Sequence, residues 1–188
     1  MSPRPLRTLA AAPQPCVLYN GRMPPTIRVL PVDDALRPAV LALAVHPDQV
    51  AFVGHVADSL ADVAVCPGSE AFALLHGDDP VGYVRIDRHA HALGDHPLAT
   101  GAVALRSFLI DATRQGQGLG AAALAAIHDE VARRHPDRTR ILLTVNVRNA
   151  AAVRAYQRAG YCDSGELYHG GSAGPQHMLW HPLPSSHP

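Results

Sequence analysis

The stretch at residues 105–121 constrains the chain more than any other. It reads as an apolar strand through Phe108, Leu109 and Ile110, a turn holding Gly116, Gly118 and Gly120, and then an Ala-rich helix. Glycines at such a junction let bare backbone approach a ligand, because no Cβ stands in the way. The helix that follows directs its unpaired N–H groups and the positive end of its dipole at the same place. A strand, a glycine turn and a helix N-terminus joined in this way make an anion site suited to a phosphate or pyrophosphate.

The rest of the composition narrows the class. At 188 residues the chain is long enough for one domain with a real core, and 47% hydrophobic against 17% charged residues excludes a disordered or fibrous chain. Lys plus Arg and Asp plus Glu both number 16, so no basic field points to nucleic acid. The 12 His residues show no metal-ligand spacing and the 3 Cys residues form no CxxC, so no metal site and no disulfide framework are expected. No apolar run reaches membrane-spanning length. Pro13 and Pro15 interrupt the short apolar segment near the N-terminus, which does not read as a signal peptide. A cytoplasmic enzyme or binding protein is the expectation. Pro3, Pro5, Pro13, Pro15, Pro24 and Pro25 mark residues 1–25 as an irregular extension, leaving a domain over 26–183 and a tail over 184–188.

Periodicity predicts a strand at 27–30, then a helix from a cap at Asp33 or Asp34 to residue 45, with Pro38 marking its first turn. Further helical pieces are predicted at 49–56 and from Ser59 or Ala61 to Cys66. Segments 70–76 and 81–87 flank Gly77-Asp78-Asp79-Pro80 and read as a hairpin, followed by a polar loop and a third strand at 101–111. A helix is predicted at 119–134, with Leu124, Ile127 and Val131 on one face and Pro136 as its stop. A strand at 140–145, a helix at 150–159 between Asn149 and Gly160, and strands at 161–168 and 176–183 complete the order. A meander followed by a β-α-β unit is a mixed α/β (α+β) domain.

Three phosphate sites compete for the glycine turn. A P-loop needs Lys-Ser/Thr after its last glycine, and none follows. Gly116-x-Gly118-x-x-Ala121 matches a dinucleotide fingerprint, but that turn normally follows the first strand of a long doubly wound sheet, and here a meander precedes it. Gln115-Gly116-Gln117-Gly118-Leu119-Gly120 also fits (R/Q)xxGx(G/A). One helix and one strand later, Asn149 is followed at Tyr156 and then at Gly160-Tyr161 by the expected partners of a second signature. The two motifs in this order resemble the GNAT N-acetyltransferase superfamily. The resemblance implies its fold, a twisted mixed sheet of about six to seven strands flanked by about four helices. Shorter similarities around Gln49, Phe52, Pro80-Val81-Gly82-Tyr83 and the Arg106 to Asp111 strand resemble the bacterial spermine/spermidine acetyltransferase branch. Leu105 replaces that branch's aromatic residue, and Ser107 stands between Arg106 and Phe108.

The resemblance implies acetyl-CoA as co-substrate and assigns roles. The backbone N–H groups of Gln115, Gly116, Gln117, Gly118, Leu119 and Gly120 hold the pyrophosphate. Phe108, Leu109 and Ile110 pair with the pantetheine arm as an added strand, and the Ile110 N–H meets the developing oxyanion. Regular alternation puts Phe108 and Ile110 on one face and Ser107, Leu109 and Asp111 on the other; Asp111 is equally suited to capping the turn. Asn149 holds the arm, caps its helix, or does both. Tyr156 either packs beneath the cofactor or acts as general acid. A phenol of pKa about 10 stays protonated beside a thiol of about 8.5, which gives the expectation that it hands its proton to the leaving thiolate.

The acceptor implied is a small-molecule primary amine, with a polyamine suggested by the branch. A polyamine wants several carboxylates. Asp48, Asp58, Asp62, Glu70 and Asp87 are the acids available, and surface acids are also commonly just solvated. Arg106 cannot act as a base at neutral pH, and no residue is assigned as base. An amino acid, an antibiotic or a protein amine are the other acceptors, and a catalytically silent acyl-CoA sensor is the rival class. A homodimer through the C-terminal strands is implied by resemblance; no metal, membrane or nucleic-acid partner is expected.

Overall fold

The structure is a computed structural model that describes residues 25–90, 93–94, 96–171 and 174–184. The expected N-terminal extension and C-terminal tail lie outside these residues, apart from Pro25 and Pro184. The strands are β1 Ile27–Pro31, β2 Ser69–His76, β3 Asp79–Asp87, β4 Ala102–Ile110, β5 Arg140–Asn146, β6 Cys162–Tyr168 and β7 Gln176–Pro182. The helices are α1 Arg37–Leu41, α2 Val50–Val53, α3 Val56–Val65, α4 Leu119–Arg134 and α5 Ala150–Arg158. The strands form one sheet in the order β1-β2-β3-β4-β5-β7-β6, in which only β4 and β5 run parallel.

Strand alternation sorts the side chains into two cores. From β2, Phe72 and Leu74 join Val84, Ile86, Val103 and Leu105 against Leu124, Ile127 and Val131 of α4. The intervening Ala73 and Leu75 pack with Tyr83 against Val40, Val56 and Leu60 of the α1–α3 layer. The sheet is therefore covered on both faces, with period 2 in the strands meeting period 3.6 in the helices. The buried Tyr83 hydroxyl lies 3.1 Å from Ser59 Oγ and ties α3 to the sheet.

The helical segment before β2 is more broken than the pattern predicts. The first helix is confined to Arg37–Leu41, with Pro38 in its first turn and Leu36, not an aspartate, at the N-cap. Asp33 instead accepts a hydrogen bond from the Leu36 amide at 2.8 Å, closing a turn before the helix. The predicted helix at 49–56 stops at Val53 because Gly54 takes φ 71°. The next begins at Val56, earlier than predicted. Apolar spacing registered the buried face of this segment but not the two places where the backbone turns.

A half-buried histidine makes the stability depend on pH. His128 of α4 stacks on His181 at 3.9 Å between ring centroids, and its Nε2 lies 3.1 Å from the Tyr161 hydroxyl. Burial, with the neighbouring His181 charge adding to it, pushes His128 down to about 4. The folded state thus binds this proton less readily than the unfolded chain. The stabilisation is complete above the ordinary histidine pKa of about 6.5 and is lost as pH falls from there through about 4, with a ceiling of about 3 kcal/mol. Urea unfolding at pH 7 and pH 4.5 measures the slope, which His128→Gln should flatten; equal slopes in both proteins would remove His128 as its source.

Candidate active site

β4 and β5 pair only from Ala102 to Ala104 against Arg140 to Leu142. Beyond Leu105 the two strands part. The register between β3 and β4 slips by one residue between Tyr83 and Arg85, and in that interval Ser107 of β4 adopts φ 49°. This bulge corrects the strict alternation expected of the strand. Leu105 and Phe108 are three positions apart, yet both pack in the α4 core together with Ile110, while Leu109 lies in the opposite one. Phe108 and Ile110 do share a face, as expected, and one extra residue is what lets Leu105 share it too. Gly82 is required opposite: a Cβ there would meet the Leu109 carbonyl oxygen at 2.5 Å.

The opening between the strands continues as three adjoining cavities. The first, about 290 Å³, is lined by Phe108, Leu109, Ile110, Gln115, Gly116, Leu119, Gly120, Asn149 and Tyr156. The second, also about 290 Å³, shares Phe108, Asn149 and Tyr156 and adds Leu105, Arg106, Ser107, Asn146 and Gln176. The third, about 410 Å³, shares Leu105, Arg106, Thr144 and Gln176 and adds Asp87, His89 and Tyr168. Phe52 of α2 lines all three. Their shared lining residues set them side by side along one passage at the point where β4 and β5 separate.

The glycine turn forms the mouth of the first cavity. Gly118 caps α4 with φ 79°, a left-handed conformation that a side chain strains. The first turn of α4 carries no acidic side chain, so its positive end stays uncompensated. Gly120 is different: a Cβ there would sit 3.9 Å from Ile110 Cγ1, an ordinary contact. The Asp111 carboxylate accepts from the Thr113 hydroxyl at 2.6 Å and from the Thr113 and Ala44 amides at 3.0 Å. Burial works against its charge, but these bonds, with Arg114 nearby, outweigh it and hold the carboxyl below its usual range. Asp111 therefore caps the turn and fastens it to the segment after α1. Gln115 makes a second fastening: its side-chain amide exchanges hydrogen bonds with Gln49 at 2.9 and 3.2 Å and donates to the Ile110 carbonyl at 2.9 Å.

Alternation along β4 fixes the direction of its amides. The Asp111 N–H donates to Val81 of β3 at 2.9 Å. The preceding Ile110 N–H consequently points the other way, toward the departed β5. Across the passage, Asn149 caps α5, accepting from the Ala152 amide at 3.1 Å. Tyr156, two turns further along α5, lies with its ring 6.3 Å from Phe108 and 5.3 Å from Tyr161, centroid to centroid. Burial raises its phenol well above the usual 10, with no hydrogen bond or charge contributing. This corrects the expectation of an easy proton hand-over. A phenol already some 1.5 pKa units above a thiol gives up its proton uphill, by about 2 kcal/mol, and burial steepens that climb.

The candidate acids do not gather. Of Asp48, Asp58, Asp62, Glu70 and Asp87, only Asp87 lines the passage. Glu70 is ion-paired with Arg134 at 3.2 Å and lies 3.0 Å from His135 Nε2. Asp62 and Asp87 both bind the buried Arg85, at 2.9 and 2.6 Å.

Residues 54–161 match the model of the Acetyltransferase (GNAT) family. The Spermine/spermidine N(1)-acetyltransferase of Bacillus subtilis (strain 168) is 31% identical over 142 residues, covering 76% of this chain and 91% of that one. The chain belongs to the GNAT acetyltransferase family. It is accordingly an acetyl-CoA-dependent N-acetyltransferase. Solved GNAT structures share its fold. The aminoglycoside acetyltransferase AAC(6')-Ib in complex with coenzyme A superposes with a TM-score of 0.66 at 19% identity, covering 84% of this chain and 95% of that one. The spermidine N-acetyltransferase from Vibrio cholerae, in complex with CoA and spermine, gives 0.62 at 12% identity, covering 84% and 96%. The GNAT sheet and helices expected from the two motifs are thus present.

Sequence reading missed the bulge at Ser107 and the Gln49–Gln115 pair. Both had a visible trace: a serine interrupting an Arg-Phe pattern, and two glutamines 66 positions apart that each occurred in a quoted motif. Gln176 and Thr144 had none, because only the sheet order brings β5 and β7 beside β4.

Proposed function

We propose that this GNAT enzyme acetylates a primary amine of a small molecule by direct attack within a ternary complex. The observation that carries the reading is the single passage joining the glycine turn, the parted β4 edge and Tyr156. In this reading the amides of Gln115 to Gly120 receive the pyrophosphate, and Phe108 to Ile110 extend a ladder to the pantetheine arm. The amine nitrogen, having lost a proton, attacks the thioester carbonyl carbon. The Ile110 N–H takes up the charge that develops on the carbonyl oxygen. The C–S bond then breaks as the nitrogen releases its second proton to solvent, leaving an amide and the CoA thiolate. Tyr156 donates a hydrogen bond to the departing sulfur, completing its transfer only as that bond breaks. Of the cysteines at 66 and 162, neither lines the passage, which favours direct attack over an acyl-enzyme.

The names of the relatives make polyamines the first acceptors to assay. The dependence on acetyl-CoA favours a cytoplasmic location, and β6, an edge strand with Leu167 exposed, is where a second copy would pair. Calorimetric titration with acetyl-CoA, followed by CoA release on an amine panel, tests the reading. Binding with amine-dependent release supports it. Binding with no release on any amine would favour a silent acyl-CoA sensor.

A further inference from the structure

Helix α2 borders the passage with little core of its own to hold it. It has four residues, Val50–Val53, and none of their side chains is fully buried; Val53 packs at the margin of the second core. A helix that short does not persist on its own backbone bonds, so its place depends on what fastens it to the rest of the fold. Gly54 ends it at φ 71°, with nothing within 4 Å of a Cβ built there, so the fastening lies at the other end. The Gln49 carbonyl accepts from the Phe52 and Val53 amides at 2.9 and 3.3 Å, and Gln49 Oε1 accepts from the His46 amide at 3.2 Å. The same Oε1 accepts from Gln115 Nε2 at 2.9 Å, and Gln49 Nε2 donates back to Gln115 Oε1 at 3.2 Å. Gln115 Nε2 also donates to the Ile110 carbonyl at 2.9 Å. One short path of bonds therefore joins the glycine turn, the end of β4 and the start of α2. Phe52 stands at the far end of that path. Among the described residues it is the only one that lines all three cavities.

We propose that Gln49 is a positioning residue for the acceptor: paired with Gln115, it holds Phe52 as the apolar wall against which the amine is placed. The proposal rests on the acetyltransferase reading above and assigns the side of the passage that the cofactor motifs leave open. It divides Gln115 between two tasks, its backbone amide toward the phosphates and its side chain toward the acceptor wall. An amine attacks only when uncharged, and an aromatic ring beside the meeting point keeps water from the nitrogen while it does so. Neither glutamine carries a proton in the reaction. Ala44, at the other end of the segment, is tied separately to the turn, its amide to the Asp111 carboxylate at 3.0 Å and its carbonyl to the Ala112 amide at 2.7 Å. Cutting the glutamine pair thus loosens α2 without releasing the whole segment.

The test uses the full chain, acetyl-CoA, and a panel of spermidine, spermine and alkylamines of two to six carbons, with the best acceptor of the panel carried through the variants. CoA release gives kcat and KM for the amine, and calorimetry gives the Kd for acetyl-CoA. Gln49→Leu should lower kcat/KM for the amine by about 10-fold, chiefly through KM, the scale of one or two lost hydrogen bonds. Its Kd for acetyl-CoA should stay within about threefold. Phe52→Ala should raise the same KM, and adding Gln49→Leu to it should change KM by no more than about twofold, because the glutamine acts through the ring. Gln115→Leu cuts the pair from the other side and carries the same expectation for the amine, which decides the matter should Gln49→Leu not fold. An amine KM unmoved by cutting the pair, effects of Gln49→Leu and Phe52→Ala that multiply, or a Kd for acetyl-CoA that rises as far as the amine KM would overturn the assignment of Gln49 while leaving the acetyltransferase intact. Acetyl-CoA binding without release on any member of the panel would bring down the acetyltransferase reading and the proposal with it.

Discussion

Tyr156→Phe is expected to lower kcat by about 100-fold while changing the Kd for acetyl-CoA by no more than about threefold. The ring fills the same space against Phe108 and Tyr161, so packing is conserved and only the hydroxyl is lost. No hydrogen bond contributes to the phenol's raised pKa, so the substitution breaks none of consequence in the resting protein. The loss should therefore fall on the step in which sulfur departs. Acyl donors that remove the need for proton donation offer a second readout: an acetyl thioester with a more acidic thiol should recover much of the rate in the variant. An unchanged kcat would leave Tyr156 as a packing residue.

The second large effect lies at the other end of the cofactor site. Gly118→Val should weaken acetyl-CoA binding by at least about 100-fold. Gly118 takes φ 79° at the cap of α4, and a β-branched residue there costs on the order of 1–2 kcal/mol or more in backbone strain. To relieve it, the turn must shift, and with it the N–H groups aimed at the phosphates. Gly120→Ala is the control. Its Cβ meets only an ordinary contact, and alanine in a helix is favoured over glycine by roughly 0.8–1 kcal/mol. That variant should melt no lower than the natural protein and keep its affinity within about threefold. Calorimetric titration and thermal melts on both variants separate the phosphate-site account from general loss of folding. Equal affinity in Gly118→Val and Gly120→Ala would contradict it.

The two variants also show what the sequence made legible. The α4 boundaries, Leu119 and Arg134, follow from a glycine-rich start and a proline stop, both local signals. The same holds for Asn149 as a cap, where one side chain bonds an amide three residues on. Ser107 was not legible in this way. Its positive φ is the product of a register slip between β3 and β4, set by how the whole sheet pairs. The parting of β4 from β5, which makes the site, is likewise a property of two strands that lie far apart in the chain. The role of the acids was not legible for a related reason. Counting carboxylates ignores what pairs with them, and Arg85 holds two of the five candidates. Electrostatic character is a sum over neighbours, and the neighbours belong to the fold.

The account's central claim is that thioester and amine meet in one passage and react directly, with Ile110 and Tyr156 on either side of the bond that breaks. Initial rates of CoA release, measured while acetyl-CoA and the amine are varied together, test this most directly. Intersecting double-reciprocal lines, the mark of a ternary complex, are the predicted result. Parallel lines, with a burst of CoA released before any amine is added, would show an acyl-enzyme and contradict the account.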